Sequence, residues 1–197
     1  MILEHRGARP TIDPTAYVAP TAVVCGDVRI GGGARVLFGA VLTAEDGRVE
    51  VGRNCVVMEN ALVRGRSGHP ARLGDDVLVG PHAHVNGCKV GAGCFIATGA
   101  ALFPGARLGA GAEVRIHGVV HVNTVLAPGT VVPIGWIAAG DPAQLFPPDR
   151  HEELWAVQRE LDFPGTVYGV ERGTPPAELM ARQSEFFGAH REDRECG

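Results

Sequence analysis

Aromatic side chains are scarce in this chain, at 6% of 197 residues. Its core must therefore be filled mainly by Val, Ile, Leu and Ala. No apolar run approaches the ~20 residues of a membrane-spanning helix. No charged start with a long apolar centre marks a secretory signal. The expected compartment is the cytoplasm, with no membrane partner. The formal net charge is −4 and no basic stripe is present, so nucleic acid is not an expected partner. No C-x-x-C occurs. Five cysteines, an odd number, stand at positions 25, 55, 88, 94 and 196. Neither a disulfide framework nor a structural zinc site is suggested by that pattern.

What is abundant is repetition. From Gly74 to Val132 the chain falls into pieces such as GDDVLV, GPHAHV, GAGCFI and GAGAEV, nearly all six residues long. Each ends in Val, Ile or Leu, and the residue two before that end is usually small. The register runs back through DPTAYV, APTAVV and GGGARV to Ile12. Short fixed-period self-similarity marks a solenoid, and the hexapeptide form marks a parallel β-helix. The reason is volume: each flat wall takes one large apolar side chain, and each corner takes a small one. A β-sandwich would instead alternate with period two and vary in strand length. The expected fold is an all-β solenoid, a left-handed parallel β-helix, over residues 1–140, with a C-terminal helical extension over 141–197. Cys55 and Cys94 fall on the small inward position, where a thiol acts as a compact hydrophobe.

Two polar insertions, Thr43 to Val51 and Arg64 to Leu73, read as loops leaving coil corners. Residues 1–11 read as an edge segment capping the first coil. Beyond Val132, Asp149 is placed to cap a helix running to Leu161, with Leu154, Val157 and Leu161 on one side. FPGTVYGV reads as extended. Thr174 is placed to cap a second helix with Pro175 first and Leu179, Phe186 and Phe187 as its stripe. His5 and His151 lie outside the coil pattern. His190 and the run REDRE read as a solvated tail.

Several stretches resemble the γ-class carbonic anhydrases, trimeric left-handed β-helices with a C-terminal helix. DPTAYVAPTAVVCGDVRIGGGARV is similar to that family's opening, and the region from Arg64 to Gly109 to its central coils. IAAGDPAQLF is similar to its closing segment, shared with hexapeptide acyltransferases. The resemblance implies a homotrimer with a site at the subunit interface. The family holds zinc with three histidines spaced H-x16-H-x4-H, which leave a position for water. Those positions are Arg64, Pro81 and Asn86 here. Arg keeps its charge, Pro has no side-chain donor and Asn is a poor ligand. The family's Arg-Gly-Asp corresponds to Thr43-Ala44-Glu45, and its Gln-Asp-Asn to Met58-Glu59-Asn60. The fold is expected to carry over and the zinc site is not, so CO₂ hydration is not expected.

Four residues, Arg64, His82, His84 and Asn86, are the catalytic candidates at the interface cleft. Glu45, Met58, Glu59, Asn60, His69, His117 and His121 are candidates for contacting substrate. His82 and His84 flank inward Ala83, so both should point outward from one strand. A displaced zinc site on these two is the one metal reading the residues allow. Arg64 suits a carboxylate or phosphate, or an ion pair with Glu45 or Glu59. Three functions stay open: an altered anhydrase-like protein for a small anionic or acyl substrate, an acyltransferase using coenzyme A with a histidine base, and a non-catalytic trimeric binding protein. No cofactor is fixed by the sequence.

Overall fold

The computed structural model describes residues 1–196. It is a three-walled parallel β-helix whose strands are mostly two residues long. The first wall carries the pairs ending at Ile12, Ile30, Val51, Leu73, Val90, Leu108 and Leu126. The second is a separate seven-stranded sheet from Tyr17–Val18 to Val131–Val132. The third runs from Ile2–Glu4 to Ile137–Ala139. Two long strands, Val23–Ile30 and Val41–Val51, pass around the corner from third wall to first and join those sheets.

Inside, one large apolar residue per wall stacks on its copy in the next coil. Val24, Leu42, Val63, Val85, Leu102 and Val120 form the third-wall stack, all fully buried. Ala22, Ala40, Ala61, Ala83 and Ala100 line the corner before it, also buried. Uninterrupted burial between coils makes the core one continuous column rather than a set of separate units. Cys55 and Cys94 belong to it, with their thiols donating to the carbonyls of Gly74 and Gly109 at 3.0 and 3.2 Å.

The insertions are more ordered than loops. Thr43 to Val51 stays in strand throughout, because both neighbouring coils offer it backbone partners. Arg64 to Leu73 folds into a tight hairpin, in which Arg66 and His69 exchange both backbone hydrogen bonds. His5 and Ala8 make a matching hairpin in the lead-in. These protrusions stack into a ridge at the corner between the third and first walls. A Cβ on Gly47 would overlap the Arg66 carbonyl, so only glycine permits that stacking.

After the antiparallel turn Ile137–Ala139 to Gln144–Phe146, the extension runs back along the third wall. Helix α1 spans His151–Gln158 and continues as a 3₁₀ turn to Leu161. Its cap is Arg150 rather than Asp149, without a side-chain hydrogen bond. FPGTVY is helical and not extended: α2 spans Phe163–Tyr168, because the Asp162 carboxylate accepts from the Gly165 amide and starts the turn. Helix α3 spans Pro176–Gly188, one residue later than expected, with Pro175 as cap. Thr174 bonds the Glu171 carbonyl instead. Arg194–Glu195 then pairs antiparallel with Ile2–Glu4.

Candidate functional site on the third wall

Strand alternation sends every second side chain of the third wall outward. Backbone pairing sets Thr43 beside Arg64 and Arg64 beside Asn86. Phe103 and His121 follow in the next coils, since Val85, Leu102 and Val120 are stacked in register. His84 stands on the same face, two residues before Asn86. The structure thus brings Arg64, His84, Asn86 and His121 onto one wall.

These side chains lie under the returning extension. Phe163 of α2 packs on Phe103 and on His121, with ring centroids 5.5 Å apart in each case. His84 sits 5.8 Å from the Phe103 ring. Phe187 of α3 lies under the Arg64 guanidinium at 5.5 Å. Burial and the nearby Arg64 charge push the His84 pKa down, and burial alone does so for His121. Both imidazoles are neutral at neutral pH.

Coverage leaves polar atoms without partners. Arg64 Nε, Asn86 Oδ1 and both ring nitrogens of His121 are buried and unbonded. Arg64 Nε lies 3.7 Å from Glu45 Oε1, near enough for charge attraction but too far for a hydrogen bond. Of the two anticipated partners for Arg64, Glu45 is therefore the one beside it. The Glu45 carboxylate, itself 3% exposed, accepts from Thr43 Oγ1 at 3.0 Å and from His190 Nε2 at 2.9 Å.

Other candidates are elsewhere. Asn60, His82 and His117 occupy left-handed corner positions, with φ of 57°, 57° and 54°. They stack at the edge between the second and third walls and are exposed. His82 is thus not on the strand with His84: it precedes that strand, in the turn, and its ring leaves the wall. Met58, Glu59 and Pro81 belong to this same edge. From Asn60 to Arg64 is four strand residues, roughly 13 Å. His69 sits on the second hairpin, lining a cleft toward α2 and α3 with Arg66 and Phe186. Burial, and secondarily Arg66, lowers its pKa. Metal geometry based on His82 and His84 together is not supported by this placement.

A second cluster adjoins the first and was not visible in the sequence. His5 Nδ1 meets Asp193 Oδ1 at 2.6 Å, and His190 Nδ1 meets Asp193 Oδ2 at 2.8 Å. The Cys25 thiol donates to Asp193 Oδ2 at 3.5 Å. The reading of a solvated tail is corrected for His190 and Asp193, whereas Arg191, Glu192, Arg194 and Glu195 are exposed. Phe186 docks under Arg6 and Arg66, at 5.3 and 4.8 Å, and Phe187 under Arg64, which swings the tail onto the wall. Partners 168 and 188 residues apart leave no local signal. The Phe186–Phe187 pair just before His190 was the one pointer.

Walls, corners and core define a parallel β-helix of the hexapeptide-repeat class. A family model of the bacterial transferase hexapeptide (six repeats) matches residues 70–103. The chain is 40% identical over 87 residues to a mitochondrial γ carbonic anhydrase 1 of Arabidopsis thaliana, covering 41% of this chain and 32% of that one. It is 31% identical over 85 residues to the carnitine operon protein CaiE of Escherichia coli O157:H7, covering 43% of each. A solved hexapeptide transferase family protein from Anaplasma phagocytophilum superposes with a TM-score of 0.53 at 26% identity, over 79% of this chain and 89% of that one. Residues 70–103 thus carry the hexapeptide repeat, and the chain is similar over part of its length to γ carbonic anhydrases and to a hexapeptide transferase family protein. The match spans about a third of the length of its γ-carbonic-anhydrase relatives.

Zinc does not fit the positions that resemblance points to. Arg64 and Asn86 share the wall, but neither donates as imidazole does, and Pro81 donates nothing. Arg64 also sets a fixed positive charge where a dication would stand.

Proposed function

We propose that this protein is a homotrimeric γ-carbonic-anhydrase-like protein that does not hydrate CO₂ and binds a small anionic or acyl ligand on the third wall. The observation that carries this reading is the set of buried atoms without partners, Arg64 Nε, Asn86 Oδ1 and the His121 nitrogens. A buried polar atom left unbonded costs about 1–3 kcal/mol, and three residues of one column share that penalty. A ligand with a carboxylate or similar oxyanion relieves it: Arg64 supplies charge and N–H donors, and His121 donates through one ring nitrogen and accepts through the other. Asn86 Oδ1 accepts from a hydroxyl or amide of the ligand. Glu45 holds the Arg64 charge from behind without consuming the Nε donor.

A second reading keeps the wall and adds chemistry. The likeness to a hexapeptide transferase family structure, together with two neutral imidazoles, supports acyl transfer from coenzyme A with His84 or His121 as general base. A non-catalytic binding role remains the outcome if no turnover is found.

Calorimetric titration with acetate, phosphate, bicarbonate and acetyl-coenzyme A tests the proposal. Saturable binding of a small oxyanion, weakened at least tenfold by Arg64→Met, is the expected result. CO₂ hydration should stay at the uncatalysed rate with and without added zinc. Zinc-dependent hydration would overturn the proposal. Turnover of acetyl-coenzyme A abolished by His84→Ala or His121→Ala would select the transferase reading.

A further inference from the structure

The cluster at the start of the third wall has the composition of a metal centre, and it lies apart from the three family positions. One ligand atom from each of His5, Cys25, His190 and Asp193 falls within 4.8 Å of all the others. They come from the N-terminal hairpin, the second coil and the C-terminal segment. His5 and Cys25 are each 2% exposed. Two imidazoles, a thiol and a carboxylate are the donor types zinc prefers, and four protein ligands make a closed tetrahedral set.

Proton positions follow from the contacts. Arg6 Nε donates to His5 Nε2 at 3.2 Å, so His5 is neutral and its Nδ1 carries the proton that Asp193 accepts. Both nitrogens of His190 face carboxylate oxygens, of Asp193 and Glu45, a setting that favours its protonated form. The Cys25 thiol keeps its proton, which it shares with Asp193. The cluster as it stands is the protonated form of a four-ligand site.

We propose that His5, Cys25, His190 and Asp193 bind one zinc ion as a structural centre that fastens the C-terminal segment to the N-terminal coil. Zinc brings two positive charges, and protons leave: the Cys25 thiol loses its own, and His190 loses any proton held on its ligating nitrogen. His5 ligates through Nδ1, its proton moves to Nε2, and the Arg6 Nε hydrogen bond to Nε2 is given up. Glu45 then accepts from the free His190 N–H, the outer-shell carboxylate that orients ligating histidines elsewhere. Because all four positions are protein atoms, no site is left for water, and the centre does not confer CO₂ hydration. The proposal is independent of the ligand assigned to Arg64.

Full-length protein freed of metal by chelation is titrated with zinc against a chromophoric chelator, in buffers of different ionisation enthalpy. One zinc per chain with release of at least the Cys25 proton is expected. Cobalt loading of the unaltered protein should show thiolate-to-cobalt charge-transfer absorption, a readout that needs no variant. Cys25→Ser should abolish that absorption, and Cys25→Ser and His190→Ala should each weaken zinc at least tenfold, with circular dichroism confirming the fold. A double variant, His82→Ala with His84→Ala, should bind zinc normally. The proposal is overturned if cobalt shows no thiolate band, if no zinc binds, or if zinc is lost in the double variant instead.

Discussion

At the scale of single residues, corner chemistry and buried imidazoles give the sharpest expectations. Gly99 has φ of 65°, and a methyl group there would stand 2.5 Å from the His117 ring. Gly99→Ala should therefore cost about 1–2 kcal/mol through φ alone, and more through the clash. Adding His117→Ala should recover the clash and leave the φ penalty, a split that urea unfolding of both variants measures. The His117 ring stands over Gly99, in the space a side chain there would take. His84 and His121 predict the acid limb of stability. Both pKa values are lowered from an ordinary 6.5. Above that value both folded and unfolded chains carry neutral rings, and these residues contribute no slope. Below it the unfolded chain takes up protons that the folded one refuses, so stability falls as pH drops. His121→Phe, which suits neighbours Phe103 and Phe163, should flatten the fall between about pH 6.5 and 5 in thermal melts.

At the scale of elements, the extension is what completes the third wall. Leu154 packs with Ala139 and Phe146, Phe163 covers Phe103 and His121, and Phe187 covers Arg64. A chain ending at Pro147 should melt lower and bind more hydrophobic dye than the full chain. Equal melting temperatures would show the cover to be ornamental. The coils were legible in the sequence because each hexad repeats the same volume demand locally, so Val63, Val85 and Leu102 could be placed by counting alone. Columns followed too: Arg64, Asn86, Phe103 and His121 align once the coils are counted. Legibility ended where partners are far apart in sequence or a turn changes a side chain's direction. His82 looked like a strand residue beside His84, but a left-handed φ removes it from the strand. FPGTVYGV holds β-formers, yet one Asp162 side chain capping Gly165 makes it helical. His5, Cys25, His190 and Asp193 meet only after the entire extension has folded back, and no periodicity encodes that return.

At the scale of the whole molecule, exposed apolar side chains remain. Phe38 is 52% exposed, Ile134 65% and Ile116 44%. Burial against two further copies is the proposed solution, with the threefold closure of ring-forming oligomers. Light scattering at micromolar concentration should report three times the 20.7 kDa chain mass, and Phe38→Asp should shift it toward the single chain. Phe103, half-buried, packs against Phe163 of the same chain. Among the described residues no helix is long and apolar enough to cross a membrane. The pairing of Leu3 with Glu195 and of Glu4 with Arg194 has a mechanical consequence. A solenoid pulled by its two ends is normally loaded along its axis, and coils peel off one by one. Here residues 3 and 195 sit side by side, so handles fixed at them strain the short antiparallel pair and its histidine–aspartate contacts first. A first, low-force event should release the extension from the wall while every coil stays wound, and zinc should raise the force at which it occurs.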